Sequence, residues 1–466
     1  MNALPSEFVD RLIGVLGRGA VMTEAADCWP YGGDNSRKRA QPDAVVFPGS
    51  HEQIVEVVRA CNRFTVPLVV RGKGTGTVGG AIPNRGGVIL STENLQRIIE
   101  TDPANRLMIV EPGATNQAVQ DEAARYGFFW PPDPTSAAFC TVGGNLAFNA
   151  AGPRAVKYGT CRENVLGLRA VTGAGETIHT GVLTTKGVVG YDLTRLIVGS
   201  EGTLAVITRA VLKLTPLPEA KRTVQAVYAD IADATAAVVR VMAQPNTPCA
   251  LEFIDGNAID MIRAYSDADL PERAGAMLMI EVDGPTAGIE ASVSAVSAAA
   301  SGNGLLRLQA ASTPQEVAAL WATRKALSPA LRKIAPNKLN EDVVVPVSRI
   351  PELIRGLDDL SREHGIPIVN FGHAGNGNIH VNLLYDAQDP DQEREARPCL
   401  SRVFDLVLSL GGTLSGEHGV GNEKRDYVAR EIDPVTLDLM ARIKHQFDPN
   451  GILNPGKMLP AQGAAG

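Results

Sequence analysis

"VVRGKGTGTVGGAIP" (residues 69–83) places five glycines behind a run of β-branched residues, and the reading of this stretch decides the fold. Glycines let backbone N–H groups approach a phosphate closely and line anion-holding nests. Lys73 precedes the later glycines, so this is no Walker-type loop, and no GxGxxG opens a helix here. Taken alone, such a loop reads as a turn before it reads as a nucleotide site. Upstream, "DAVVFPG", "HEQIVEVVRACNRF" and "VPLVVRG" read strand, helix, strand, with Ile54, Val57, Val58 and Cys61 at helical spacing. Downstream, "RLMIVEPG" and "TNQAVQDEAARYG" form a second strand–helix pair, and "LGLRAVTGAGETIHTG" two strands joined by a glycine-bearing turn. Two more glycine-rich loops follow, "TVGGNLAFNAAGP" (141–153) and "VGSEGTLAVIT" (198–208). Three in one region, one behind an unusual "WPPDPTS", favour a dinucleotide with a pyrophosphate.

A chain of 466 residues predicts two or three domains. The net charge of -7 and the lack of dense Lys/Arg runs argue against nucleic acid as a partner. Six scattered cysteines without a CxxC pair suit a reducing compartment, and they supply no disulfide framework, cysteine zinc site or iron–sulfur motif. The amphipathic start, broken by Glu7, Asp10 and Arg11, is not a signal peptide, and no apolar run is long enough to span a membrane. The expected location is cytoplasmic, with peripheral contact with the inner membrane left open. Pro216 and Pro218 mark a boundary. Beyond them strands and helices alternate in an antiparallel α+β layout, ferredoxin-like twice over.

"FGHAGNGNIHVNLL" (371–384) holds two of the seven histidines between strand-like flanks. A glycine-tipped hairpin would bring His373 and His380 side by side across a two-stranded ladder. The competing reading is a polar hairpin tip with incidental histidines. In "LSGEHGVGNEKRD" (414–426), Glu417 and His418 sit among glycines. Glu417 with the two histidines would make a His2Glu set for zinc or another divalent first-row metal, whereas a solvated loop acid is the plainer account. In "LWATRKALSPAL" (320–331), Trp321, Arg324 and Ser328 share one helix face, and Leu320, Leu327 and Leu331 line another. An arginine and a serine beside an indole could grip a carboxylate, or the arginine could simply stack on the tryptophan.

Together these motifs resemble the FAD-linked 2-hydroxy acid dehydrogenases, the group of flavin D-lactate dehydrogenases, D-2-hydroxyglutarate dehydrogenase and the glycolate oxidase flavin subunit. The resemblance runs from about Pro42 to Met458. It implies an α+β fold: a vanillyl-alcohol oxidase-type FAD-binding domain, a ferredoxin-like substrate (cap) domain and a C-terminal helical segment. The expected boundaries are an N-terminal helical segment at 1–40, the FAD-binding domain at 41–218, the cap at 219–410, and a segment closing the active site at 411–466. "RGKGTGTVGG" resembles the loop cradling the FAD pyrophosphate, and "PPDPTS…CTVGGNLAFNAAG…YG" its partner. The implied FAD-binding residues are Arg71, Gly72, Lys73, Gly74, Thr75, Gly76 and Thr77, then Pro134, Thr135, Ser136, Thr141, Gly143, Gly144, Asn145, Asn149 and Gly152. Tyr158, Gly159, Glu201, Gly202, Ile207 and Asn454 complete that set. Thr75 stands where covalent members of the wider fold carry a histidine, so the FAD is expected to be held non-covalently.

The same resemblance makes His373, His380 and Glu417 ligands of a divalent metal, zinc first and manganese second, and His418 the catalytic base. It gives Arg324, Ser328, Lys338 and Asn382 to the substrate. The implied reaction is oxidation of a D-2-hydroxy acid by hydride transfer to flavin N5, D-lactate to pyruvate as first choice, with D-2-hydroxyglutarate and glycolate behind it. Electrons would pass to a quinone, a cytochrome or an electron-transfer flavoprotein. Asn376 departs from the aspartate of many members, while Ser328 and "NKLNEDVVVP" depart from the hydroxyglutarate enzymes. A zinc hydrolase and a non-catalytic flavin or metal sensor are the rivals, the first opposed by the FAD loops and the second by an intact base–metal–arginine set.

Overall fold

Ser50 accepts a hydrogen bond from the Gln53 amide and starts the helix His51–Phe64, whose Ile54, Val57, Val58 and Cys61 are buried, as their spacing requires. The computed structural model describes residues 4–265, 270–311, 313–325, 331 and 335–460. The chain divides into two units, one of Met1–Gly152, Gly159–Leu217 and Glu417–Gly466, the other of Pro153–Tyr158 and Pro218–Gly416.

In the first unit, β1 (Val21–Met22), β2 (Ala44–Val46), β3 (Leu68–Arg71) and β4 (Val88–Ser91) form a sheet of order β1-β2-β4-β3. β4 runs parallel to both β2 and β3. Both β2 and β4 are buried along their whole length, which explains the apolar runs at 44–46 and 88–90. An antiparallel sheet of order β5-β6-β10-β8-β9 follows, from β5 (Ile98–Asp102), β6 (Leu107–Val110), β8 (Val165–Thr172), β9 (Thr177–Gly181) and β10 (Ala205–Lys213). A two-stranded pair, β7 (Phe128–Phe129) with β11 (Thr215–Pro216), lies apart. The stretch 141–153, read above as a loop, contains a short helix, Val142–Ala147. Thr141 caps it by accepting from the Gly144 amide, and left-handed Asn149 follows two residues after its end.

The second unit carries one seven-stranded sheet of order β15-β12-β14-β13-β17-β18-β16. Its strands are β12 (Ala220–Tyr228), β13 (Ala250–Asp255), β14 (Ala276–Gly284), β15 (Leu305–Ala311), β16 (Asn337–Val344), β17 (Ile368–His373) and β18 (Asn378–Tyr385). β12 to β15, with helices Ile231–Ala243 and Ile289–Ala300, make a complete ferredoxin-like round. The second round has β16, helix Ile350–His364, β17, β18 and helix Pro390–Ser409, and it joins the first through β13 and β17. Among the described residues its fourth strand is reduced to one bridge, Thr413 to Val344, on the outer edge of β16. The chain then continues to Ser415 and Gly416.

Directly paired residues point to one side of a sheet, and pairing therefore defines the faces. Helices cover the side bearing Val224, Leu251, Phe253, Ile280 and Val381, all buried. The opposite side carries Gln225, Met279, Glu252, His373, Asn378, His380, Asn382, Asn340 and Asp342, linked by register across six strands.

Candidate active site

His373 ends β17 and His380 lies in β18, with a 3-10 turn, Ala374–Asn376, and left-handed Gly377 between the strands. A Cβ at Gly377 would stand 1.9 Å from the Val345 carbonyl oxygen, so only glycine fits this turn. The histidines are not directly opposite. His373 pairs with Asn378 and His380 with Phe371, which makes them diagonal neighbours on one face. Their ring centroids lie 5.1 Å apart with planes at 84°.

The His373 Nδ1 lies 2.5 Å from Oε1 of Glu252, which is 1% exposed on β13. Donation from Nδ1–H to that carboxylate fixes the tautomer and leaves Nε2 as the lone-pair nitrogen. Asp342, opposite His380 in β16, accepts from the Ser415 hydroxyl at 3.1 Å and from the Gly416 amide at 2.9 Å. The Gly416 amide also meets the Asp342 carbonyl at 2.8 Å. Glu417 follows by a single peptide bond and opens the last segment of the first unit. Two imidazole nitrogens and a carboxylate oxygen suit a first-row divalent ion.

Asn382 is fully buried, accepting from Asn340 Nδ2 at 2.6 Å and donating to the Val369 and His380 carbonyls at 3.2 Å. Lys338 is exposed on the same face of β16 as Asn340 and Asp342. Trp321 ties the helix Pro314–Lys325 to this face through Nε1, 3.0 Å from Glu281 Oε1. Arg324 lies one turn beyond Trp321; its side chain, and Ser328 altogether, lie outside the described residues. Sequence reasoning missed Glu252. Its signal was an acid inside the apolar run "ALEFID", since a buried acid needs a partner.

In the first unit the glycine-rich stretches meet. A Cβ at Gly72 would stand 2.3 Å from Thr141 Oγ1, and one at Gly80 would stand 2.3 Å from the Phe148 ring. Gly74 and Gly79 take φ of 66° and 74°, and Gly76 faces open space. Arg71 is bound to the Gly33 carbonyl at 2.5 Å and lies over the Tyr31 ring, while Lys73 stands 3.8 Å from Glu93. Thr75 and Thr77 are half-buried. Pro134 and Ser136 accept backbone bonds from Ala137 and Cys140 beside exposed Thr135. Gly143 packs on Pro112, Gly144 on Thr141, and Gly152 on Asp133.

Asn149 turns its Oδ1 onto the Arg162 amide and the Thr160 hydroxyl. Tyr158 belongs to the second unit and donates to Asp283 at 2.8 Å, beside left-handed Gly159; burial and that carboxylate push its phenol up. Ile207 is buried in β10, one turn after left-handed Gly202. Glu201 is buried with its carboxylate on the Val420 and Gly421 amides, at 2.6 and 2.8 Å.

Among the described residues, the buried side-chain atoms without a hydrogen-bond partner include Asn145 Nδ2 and Asn454 Oδ1. An unsatisfied buried amide costs about 1–3 kcal/mol, so both fit a polar ligand held by these loops. The donor-rich backbone of the glycine stretches suits the pyrophosphate of FAD.

Fold and loops thus define an FAD-binding protein of the vanillyl-alcohol oxidase type. The FAD binding domain family matches residues 42–181, and the C-terminal domain of FAD linked oxidases matches residues 217–458. Glycolate oxidase subunit GlcD of Bacillus subtilis is 38% identical over 90% of this chain and 89% of its own. D-lactate dehydrogenase of Archaeoglobus fulgidus is 37% identical over 91% and 92%. The structure of p-cresol methylhydroxylase superimposes with a TM-score of 0.79 at 20% identity, over 97% of this chain and 96% of that one. The chain belongs to the FAD-linked 2-hydroxy acid dehydrogenases, and it is an enzyme of that family. No helix among its described residues is long and apolar enough to cross a membrane.

Proposed function

We propose that the protein oxidises a small 2-hydroxy monocarboxylate, of D-lactate or glycolate size, to the 2-oxo acid. The reading rests above all on one sheet face that carries His373, His380 and Lys338 beside the segment leading to Glu417. FAD would be held without a covalent bond by residues of 41–218 and Asn454, and the substrate by residues of 219–410. His373, His380 and Glu417 would hold a divalent ion, zinc before manganese. When bound, FAD supplies a two-electron acceptor and the ion a Lewis acid that lowers the pKa of a hydroxyl.

The chain's own residues do the rest. Lys338 binds the carboxylate together with Arg324, on the helix that Trp321 anchors, and with Ser328; a guanidinium fork offers two parallel bonds. His418 takes the hydroxyl proton. Asn382 braces β18 from within through the His380 carbonyl. Relatives named for glycolate and for D-lactate are nearly equally similar, which supports a short acid over a dicarboxylate.

The test is a panel of glycolate, D-lactate, L-lactate and D-2-hydroxyglutarate with an artificial dye acceptor. Turnover confined to glycolate or D-lactate is expected. Hydrolysis of esters or amides with no dye reduction would overturn the reading in favour of a zinc hydrolase.

A further inference from the structure

His418 stands in a glycine-flanked loop, and a loop base needs something rigid beneath it to hold its geometry. Glu201 answers that need within the first unit. Its backbone takes a left-handed φ of 55°, an uncommon conformation for a non-glycine residue, and its side chain is 4% exposed. The Glu201 amide donates to the Ala147 carbonyl at 2.8 Å, at the end of the short helix Val142–Ala147. Its carbonyl accepts from Asn454 Nδ2 at 2.7 Å, and the same amide donates to the Gly80 carbonyl at 3.0 Å. Both carboxylate oxygens are taken by Val420 and Gly421, two and three residues after His418. A Cβ at Gly419 would stand 2.7 Å from Glu201 Oε1, so the loop lies directly on the carboxylate. Asn422 holds the far end separately, through its amide on the Val78 carbonyl and its side chain on the Gly79 carbonyl.

We infer that Glu201 is a positioning residue: it locks the His418 loop to the glycine-rich loops of the cofactor domain. The inference rests on the reading of His418 as proton acceptor. A carboxylate is the group for the task, because one side chain must accept two backbone N–H bonds at once. Glutamine keeps the shape but turns an NH2 towards one of those amides. Asn422 would still tether the loop, so the loop is expected to loosen at its His418 end without leaving the body.

The experiment compares the wild-type holoenzyme with Glu201→Gln and, in case that variant does not fold, Glu201→Asp. Circular dichroism and FAD content are expected to stay at wild-type values. Amide hydrogen exchange at Val420 and Gly421 is expected to accelerate at least about tenfold, as for any opened backbone bond. With a 2-hydroxy acid that the wild type oxidises, kcat is expected to fall about 10²-fold with little change in KM, the scale of a misplaced catalytic group. The kinetic isotope effect of C2-deuterated substrate should rise, a change that a smaller active fraction would not produce. A folded variant that has lost its FAD would make Glu201 a cofactor ligand and overturn the inference. So would unchanged exchange, or an unchanged kcat and isotope effect. If the wild type oxidises no 2-hydroxy acid, the functional reading fails, while the exchange data still decide whether Glu201 holds the loop.

Discussion

Glu252 decides how His373 can work. A carboxylate that is 1% exposed beside Nδ1 leaves the ring one tautomer and one orientation, which is what a metal-binding imidazole needs from its surroundings. Glu252→Gln should lower metal affinity about 10–100-fold, the usual loss for such outer partners, while His373 itself remains. Competition against a chromogenic chelator measures this directly, and wild-type affinity in the variant would leave Glu252 a purely structural acid. His418→Ala addresses the neighbouring task. It should keep its metal and lose about 10²–10⁴-fold in rate, as metal analysis and turnover on one preparation would reveal. In the proposed reading, adjacent Glu417 and His418 divide the two tasks, a carboxylate for the metal and an imidazole for the proton.

At the scale of elements, the hairpin depends on β13, which holds β17 in the sheet through Glu252↔His373 and its neighbours. Asp255 ends β13, accepts from the Ala258 amide at the start of helix Gly256–Tyr265, and binds the Asn370 amide and side chain at 2.8 and 2.9 Å. Burial drives its carboxyl from the ordinary value up to about 7, against the downward pull of those donors. Asp255 in the unfolded chain ionises near about 3.9, so between that pH and 7 the folded state holds a proton the unfolded state has released. Its stabilising contribution is therefore complete below the unfolded pKa and is lost as pH rises through the folded one. Thermal melts from pH 5 to pH 8 should show the wild type losing stability relative to Asp255→Asn, and parallel profiles would refute the assignment.

For the whole molecule, the glycine-rich stretches belong to one unit and the two histidines to the other. Loss of metal should therefore disable turnover without emptying the flavin site. Treatment with a strong chelator is expected to abolish dye reduction while the flavin spectrum persists, and added zinc or manganese should restore activity. Full activity in metal-free protein would return the histidines to the role of a hairpin tip. Acid precipitation gives the companion result: the yellow colour should stay in the supernatant, because Thr75 carries no ring nitrogen for a covalent link.

The sequence by itself determined what local chemistry can encode. Helical spacing in "HEQIVEVVRACNRF", strand alternation around "AGNGN" and the glycine runs were legible because propensity and turn geometry act over a few residues. The histidine pair was legible for the same reason, since a tight turn joins its two strands. Register was not. The diagonal offset of His373 and His380 follows from how the left-handed Gly377 closes the turn against the Val345 carbonyl. Glu252 was beyond reach, and Glu201, implied only as an FAD contact, was beyond reach as a holder of the His418 loop, because their partners lie 121 and 219 positions away in the chain. Only the tertiary structure brings such distant groups within hydrogen-bond range, and burial then makes each acid depend on the partner it found.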